Sequence, residues 1–223
     1  MDIKQLPIKH RDLYTPYIWS KEYIQKLIDE PSEPEDYPNA LIDIKNCINQ
    51  IDIKDKIILV IGSITPWIEC LILKNGISKI YTTDINKITI EDDRIIFYDI
   101  LKIHKLEPDI IISYSVVEHI GLGRYGDELD KDGDLKFMDN SYNFLKDNGY
   151  FIIGIPVANE YKCDFPLHRI YDDNRLLKLI YKYNIIMSSK NGQILNENFI
   201  DYSFDEKAYS FDWQNQPAIL LQK

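Results

Sequence analysis

At 223 residues the chain is long enough for one sizeable hydrophobic core, and it reads as a single domain with an extension. Hydrophobic residues make up 45% and charged residues 28%, the balance of a soluble globular protein. A formal net charge of -10 argues against a non-specific grip on nucleic acid, which needs a basic surface.

The start, MDIKQLPIKH, has no apolar signal core, and no run of about 18 apolar residues follows, so membrane insertion is not expected. Residues 20–29 have helical periodicity, and the Pro-rich acidic linker EPSEPEDYP ends that helix. A second helix is expected over 39–50. Residues 1–54 therefore read as a helical cap or extension, with the main domain at 55–223.

From residue 56 the pattern is regular. KIILVIGS is a β-branched run, the mark of a strand buried on both faces. TPWIECLILKNG follows as a helix, with Pro66 near its start and Gly76 at its end. KIYTTD, RIIFYDI and DIIISYS are further strands, LKFMDNSYNFLKDNG a helix, and YFIIGIPV a fifth strand. RLLKLIYKY is a helix, NIIMSSK a sixth strand and PAILLQK a terminal strand. Between the last two, NENFIDYSFDEKAYSFDWQNQ reads as a loop or hairpin insertion. Strands alternating with helices imply a mostly parallel, doubly wound α/β sheet with helices on both faces.

Cys47, Cys70 and Cys163 are widely spaced and form no CxxC or Cys/His ligand pattern. No structural zinc is expected, and a reducing, cytoplasmic setting is.

Open α/β sheets bind ligands at the carboxyl ends of their strands. Gly62 ends the first strand and permits close backbone approach, but Ser63, Ile64, Thr65 and Pro66 replace the glycines of a dinucleotide fingerprint. Asp84 ends the second strand, where a carboxylate suits ribose hydroxyls, and Asp99 ends the third, within reach of an adenine amino group. The alternative reading is that these acids cap loops.

In this order the segments ILVIGS, YTTD, FYDI, IISYSVVEHIGLGRYGD and LKDNGYFIIGIPV resemble a class I S-adenosylmethionine-dependent methyltransferase. GSITPWIE, EHIGLGRYGDELDKDGDLK and HRIYDDNRL resemble, more narrowly, a methyltransferase-like family of unknown function found in nematodes and bacteria. The resemblance implies a Rossmann-like seven-stranded sheet with an antiparallel last strand. It also implies adenosylmethionine contacts at Gly62, Ser63, Asp84, Ile85, Asp99, Ile100 and Ser115.

Methyl transfer to a hydroxyl needs a general base, or a metal that acidifies the acceptor. His119 lies just past the fourth strand and suits the role of base; alternatively, Glu118 and His119 are structural or contact the cofactor. His168, with Arg169 and Tyr171, is placed to bind or deprotonate a polyol, while Asp172 or Asp173 caps the following helix. Arg124 suits a phosphate or carboxylate on the acceptor, or a salt bridge. Asp127 joins the candidate catalytic set.

DKDGD lacks the spacing and closing Glu of an EF-hand. A divalent ion held by Asp127, Asp130, Asp132 or Asp134 stays open beside a solvated turn. Abundant aromatic rings, with 16 Tyr and 3 Trp, favour a sugar or other hydroxyl-bearing small molecule as acceptor. The expected function is O-methylation of a sugar, free of nucleic acid. The alternative is a non-catalytic methyltransferase-like partner in glycan assembly.

Overall fold

A computed structural model describes residues 17–196 and 215–223. The chain opens with β1 (Tyr17–Trp19), followed by α1 (Lys21–Asp29) and α2 (Ala40–Ile48). Ser20 caps α1 by accepting from Tyr23 N, and Pro31 follows its end. Then come β2 (Ile58–Ile61), α3 (Trp67–Lys74), β3 (Ile80–Thr83), β4 (Ile88–Ile90) and β5 (Ile95–Phe97). A 3-10 turn over Ile100–Lys105 leads to β6 (Ile110–Tyr114) and a short 3-10 turn, Val117–His119. The remainder is α4 (Gly133–Phe144), β7 (Tyr150–Gly154), β8 (Lys162–Asp164), β9 (His168–Ile170), α5 (Asp173–Leu179), β10 (Asn184–Lys190), β11 (Gln193–Asn196) and β12 (Ala218–Gln222).

The main sheet has eight strands in the order β11-β10-β12-β7-β6-β2-β3-β5. From β7 to β5 every pairing is parallel, while β12 runs antiparallel to β7 and to β10. Seven strands with an antiparallel last member were expected, and β11 is the addition. It pairs with β10 through a two-residue turn, Asn191–Gly192, with both residues at positive φ as such hairpins require. Asp43 of α2 clamps that turn, accepting from Ser189 Oγ at 2.7 Å, Asn191 N at 2.9 Å and Gly192 N at 2.8 Å.

Two cores sandwich the sheet. On one face Ile24, Ile44 and Ile72, from α1, α2 and α3, pack with Ile58, Val60 and Leu220. On the other, Met138, Leu176 and Leu179 of α4 and α5 pack with Leu59, Phe151 and Ile153. Alternate residues along each central strand thus face opposite layers, which is why those strands read as unbroken apolar runs. Residues 17–54 share the first of these cores. The expected insertion lies outside the described residues over 197–214. Among the described residues no helix is long and apolar enough to cross a membrane.

Candidate functional site

The carboxyl ends of β2, β3 and β6 converge on one edge of the sheet. Gly62 follows β2 at φ +83°, and its N–H donates to Thr83 O at 2.8 Å. A Cβ at this position would lie 2.2 Å from Val116 Cγ2, so glycine is required both by conformation and by space. Ser63 is buried, and the next carbonyl, that of Ile64, accepts from the Trp19 indole at 3.1 Å. The turn that lacks the expected glycines is held by an N-terminal tryptophan instead.

Asp84 is largely buried, and desolvation lifts its carboxyl above the usual range while Asn86 N donates to it at 2.7 Å. Ile85 beside it is 53% exposed, and Ile64 of the turn after β2 is 51% exposed, so both present apolar surface at this edge of the sheet. Asp99 follows β5 with its side chain exposed. It caps the next turn through Leu101 N at 3.0 Å and pairs with Lys102 at 3.2 Å, which together hold its carboxyl low. Ile100 presents a partly exposed apolar face there.

Beneath the turn lies a residue that sequence reasoning passes over. Glu69 of α3 is fully buried; Thr82 Oγ donates to it at 2.7 Å. Desolvation raises it to about 7.

At the end of β6, Ser115 sits at φ +55°, an uncommon conformation for a residue with a side chain. Its N–H donates to Gly154 O at 2.9 Å, and its hydroxyl donates to Glu118 Oε1 at 2.7 Å. Glu118 is fully buried and desolvation raises it to about 7; its Oε2 meets no hydrogen-bond partner among the described residues.

His119 Nδ1 stands 2.6 Å from Leu167 O, so that nitrogen carries the proton and Nε2 the lone pair. Nε2 is 3.6 Å from Glu118 Oε1. Burial pushes His119 down to about 4, with the nearby Arg124 and Arg169 cations adding to the effect. The imidazole is therefore neutral across the physiological range.

His168, on β9, faces His119 edge-on with ring centroids 6.4 Å apart. Its Nε2 is buried without a partner among the described residues, and desolvation lowers its pKa. The two candidate histidines, 49 positions apart in sequence, thus meet. Tyr125 packs edge-on against His119 at 5.6 Å.

Four residues expected at the acceptor make contacts within the protein. Arg124 donates to Leu167 O at 3.2 Å and lies over the Tyr125 ring at 5.2 Å. Asp127 accepts from Gly121 N at 2.7 Å, Gly123 N at 3.3 Å and Tyr125 N at 3.2 Å, so its carboxylate organises the loop. Arg169 is 1% exposed and donates to the carbonyls of Glu118, Ile120, Asp130 and Lys131. It pins the loop from within and offers no polyol contact. Tyr171 likewise turns inward, donating to Asp134 Oδ2 at 3.1 Å.

Three of the four acids proposed for a divalent ion are matched with cations, Asp130 with Lys136, Asp132 with Arg175 at 3.2 Å, and Asp134 with Arg175, while Asp127 holds the loop amides. Among the described residues no group of three or more His, Cys, Asp or Glu side chains is placed to hold a metal ion. Asp172, by contrast, caps α5 as expected, accepting from Arg175 N at 2.8 Å.

Residues 55–223 match the model of the family described as "Caenorhabditis protein of unknown function, DUF268". The chain belongs to this family. No curated protein matches this DUF268 member in sequence. In structure it is similar to the 1,6-didemethyltoxoflavin-N1-methyltransferase of Burkholderia thailandensis, solved with 1,6-didemethyltoxoflavin and S-adenosylhomocysteine. Identity there is 10%, coverage 83% of this chain and 79% of that one, and the TM-score 0.53. It is also similar to human N-acetylserotonin methyltransferase in complex with SAM, at 13% identity, 80% and 51% coverage and a TM-score of 0.48. A SAM-dependent methyltransferase from Methanosarcina mazei aligns at 10% identity, 79% and 96% coverage and a TM-score of 0.44. At these identities the likeness is one of fold: the DUF268 member has the α/β fold of class I methyltransferases.

Proposed function

We propose that this chain is an S-adenosylmethionine-dependent O-methyltransferase whose acceptor is a sugar hydroxyl, on a glycan or a nucleotide-linked sugar. The observation that carries the reading is the junction of Ser115, Glu118, His119 and His168 at the carboxyl end of β6, on the sheet edge that also carries Gly62 and Asp84. The residues fit the cofactor: Gly62 leaves room for a close approach, Asp84 suits ribose hydroxyls, and Ile64, Ile85 and Ile100 offer apolar surface to a base. When bound, adenosylmethionine supplies a methyl group already activated on a sulfonium.

The chain's own part is to position and deprotonate the acceptor. With Nδ1–H committed to Leu167 O, His119 keeps a lone pair on Nε2 at neutral pH and accepts the hydroxyl proton there. Glu118 Oε1, 3.6 Å away, stabilises the imidazolium so formed. His168 orients a neighbouring hydroxyl of the same acceptor. The Tyr125 ring beside His119 supports a sugar, whose C–H face stacks on aromatic rings. Free thiols at Cys47, Cys70 and Cys163 fit a reducing, cytoplasmic setting.

The test is a methyl-transfer assay with labelled adenosylmethionine against sugars and nucleotide sugars, with and without chelator. His119→Ala and His168→Ala are expected to keep cofactor affinity, and His119→Ala to lose about 100–10,000-fold in turnover. Full activity in both variants contradicts the base assignment. The turn after β2, with Gly62 as its one glycine, favours a second reading, a non-catalytic partner in glycan assembly. That reading requires the folded protein to ignore adenosylmethionine with and without acceptor sugars.

A further inference from the structure

A carbonyl oxygen has two lone pairs, and that of Leu167 meets two donors. His119 Nδ1 stands 2.6 Å from it and Arg124 Nη1 3.2 Å, with the two nitrogens 3.4 Å apart. Both nitrogens carry protons, so neither accepts from the other and the oxygen takes both bonds. The carbonyl is aimed by the closed turn between β8 and β9, where Leu167 N donates to Asp164 O at 2.6 Å. The arginine is seated as firmly. The amides on either side of it, Gly123 N and Tyr125 N, donate to Asp127 at 3.3 and 3.2 Å. Its guanidinium lies over the Tyr125 ring at 5.2 Å, and that ring packs edge-on against His119. Arg124 thus bridges the glycine loop and the hairpin tip at the ring nitrogen that does not face the acceptor.

A guanidinium at 3.4 Å also acts on the ring through its charge. A second proton would make His119 a cation in contact with another cation at a largely buried site. Burial does most to keep the ring neutral, and the Arg124 charge works in the same direction. The other titratable groups facing the ring come from three sides. Glu118, on the same turn, places Oε1 3.6 Å from Nε2. Asp127 of the loop favours the charged ring, Arg169 of β9 opposes it, and His168 of β9 meets it edge-on.

We propose that Arg124 is a positioning residue of the base: its guanidinium shares the Leu167 carbonyl with His119 Nδ1, ties the hairpin tip to the glycine loop, and keeps a second proton off the ring so that Nε2 stays open to the acceptor. Once the acceptor hydroxyl has given its proton to Nε2, the same repulsion favours release of that proton to water, which returns the base to its starting form. The consequence for catalysis rests on the methyltransferase reading; the state of the ring is measured without any ligand.

The experiment is nuclear magnetic resonance on the full chain with nitrogen-15 histidine and carbon-13 leucine carbonyls. His119 is assigned through His119→Gln, and Leu167 directly, because Leu167–His168 is the one Leu-His pair in the sequence. In the free wild type the His119 ring is expected in a single neutral form with its proton on Nδ1; a neutral ring with its proton on Nε2 overturns the inference. Arg124→Met keeps bulk over Tyr125 but has neither charge nor donor. In this variant the Leu167 carbonyl signal should move, and His119 should bind a second proton about tenfold more tightly, its midpoint rising from about 4. A change of less than twofold in proton affinity in the folded variant overturns the inference. Should Arg124→Met not fold, Arg124→Gln, uncharged and too short to reach the carbonyl, carries the same two readings. With adenosylmethionine and an acceptor in hand, the acid limb of the rate profile should move to higher pH together with the ring. A limb that stays in place while the ring midpoint rises contradicts His119 as the base, and with it the methyltransferase mechanism, while the ring titration still decides the role of Arg124.

Discussion

Replacing Arg169 with leucine removes the internal tie of the loop that carries the site. Its guanidinium donates to Ile120 O at 2.7 Å, Asp130 O at 3.2 Å and to Glu118 O and Lys131 O at 3.3 Å, and its Nε lies 3.8 Å from Asp134 Oδ2. Hydrogen bonds from a charged donor are worth about 1.5–3 kcal/mol each, but they act as one unit here and do not add. Breaking a buried ion pair by removing one partner costs about 3–5 kcal/mol, which is the loss expected for Arg169→Leu. For a chain of this size that is a fall of about 6–20 °C in melting temperature. Arg169→Lys keeps the charge without the fork and should recover less than half of the loss. Urea unfolding followed by circular dichroism measures both. A loss under about 1 kcal/mol in Arg169→Leu, with the loop amides still protected from exchange, would refute the role assigned to this arginine.

Glu69 should make stability depend on pH in a calculable sense. Its ordinary pKa of 4.5 rises to about 7 in the fold, so the native state holds the extra proton between those values. Its contribution is complete below pH 4.5, falls as pH rises to about 7 and is constant above; Glu69→Gln should therefore gain about 3 kcal/mol on wild type between pH 4.5 and 8, read by urea unfolding at each pH. Gly62→Ala combines a left-handed backbone with a collision against Val116 and should cost about 2–4 kcal/mol. The double variant Gly62→Ala/Val116→Ala should recover the collision share only, as thermal melts would record. Asp127→Ala strands the amides of Gly121, Gly123 and Tyr125, and should cost about 1–3 kcal/mol with faster hydrogen exchange over residues 121–127.

The sheet was legible because its central strands are buried on both faces, and a β-branched run such as ILVI has few other homes. The eighth strand was announced by Asn191–Gly192, a hairpin turn that reads easily once the flanking strands are paired. The meeting of His119 and His168 followed from fold order, since β6 and the segment after β7 end on the same edge. Side-chain employment was harder to read. Arg169 and Asp127 are residue types that suit an acceptor equally well, and only the loop path shows that backbone groups occupy them. Glu69 lay in an apolar helix, where one acid reads as surface until its burial is known.

The most direct measurement is calorimetric titration of the folded wild-type chain with S-adenosylmethionine, repeated with Gly62→Ala. One equivalent should bind the wild type, with a dissociation constant of about 1 μM–1 mM, and Gly62→Ala should bind at least tenfold more weakly. No binding by the folded wild type at millimolar cofactor, with and without acceptor sugars, would contradict the methyltransferase account.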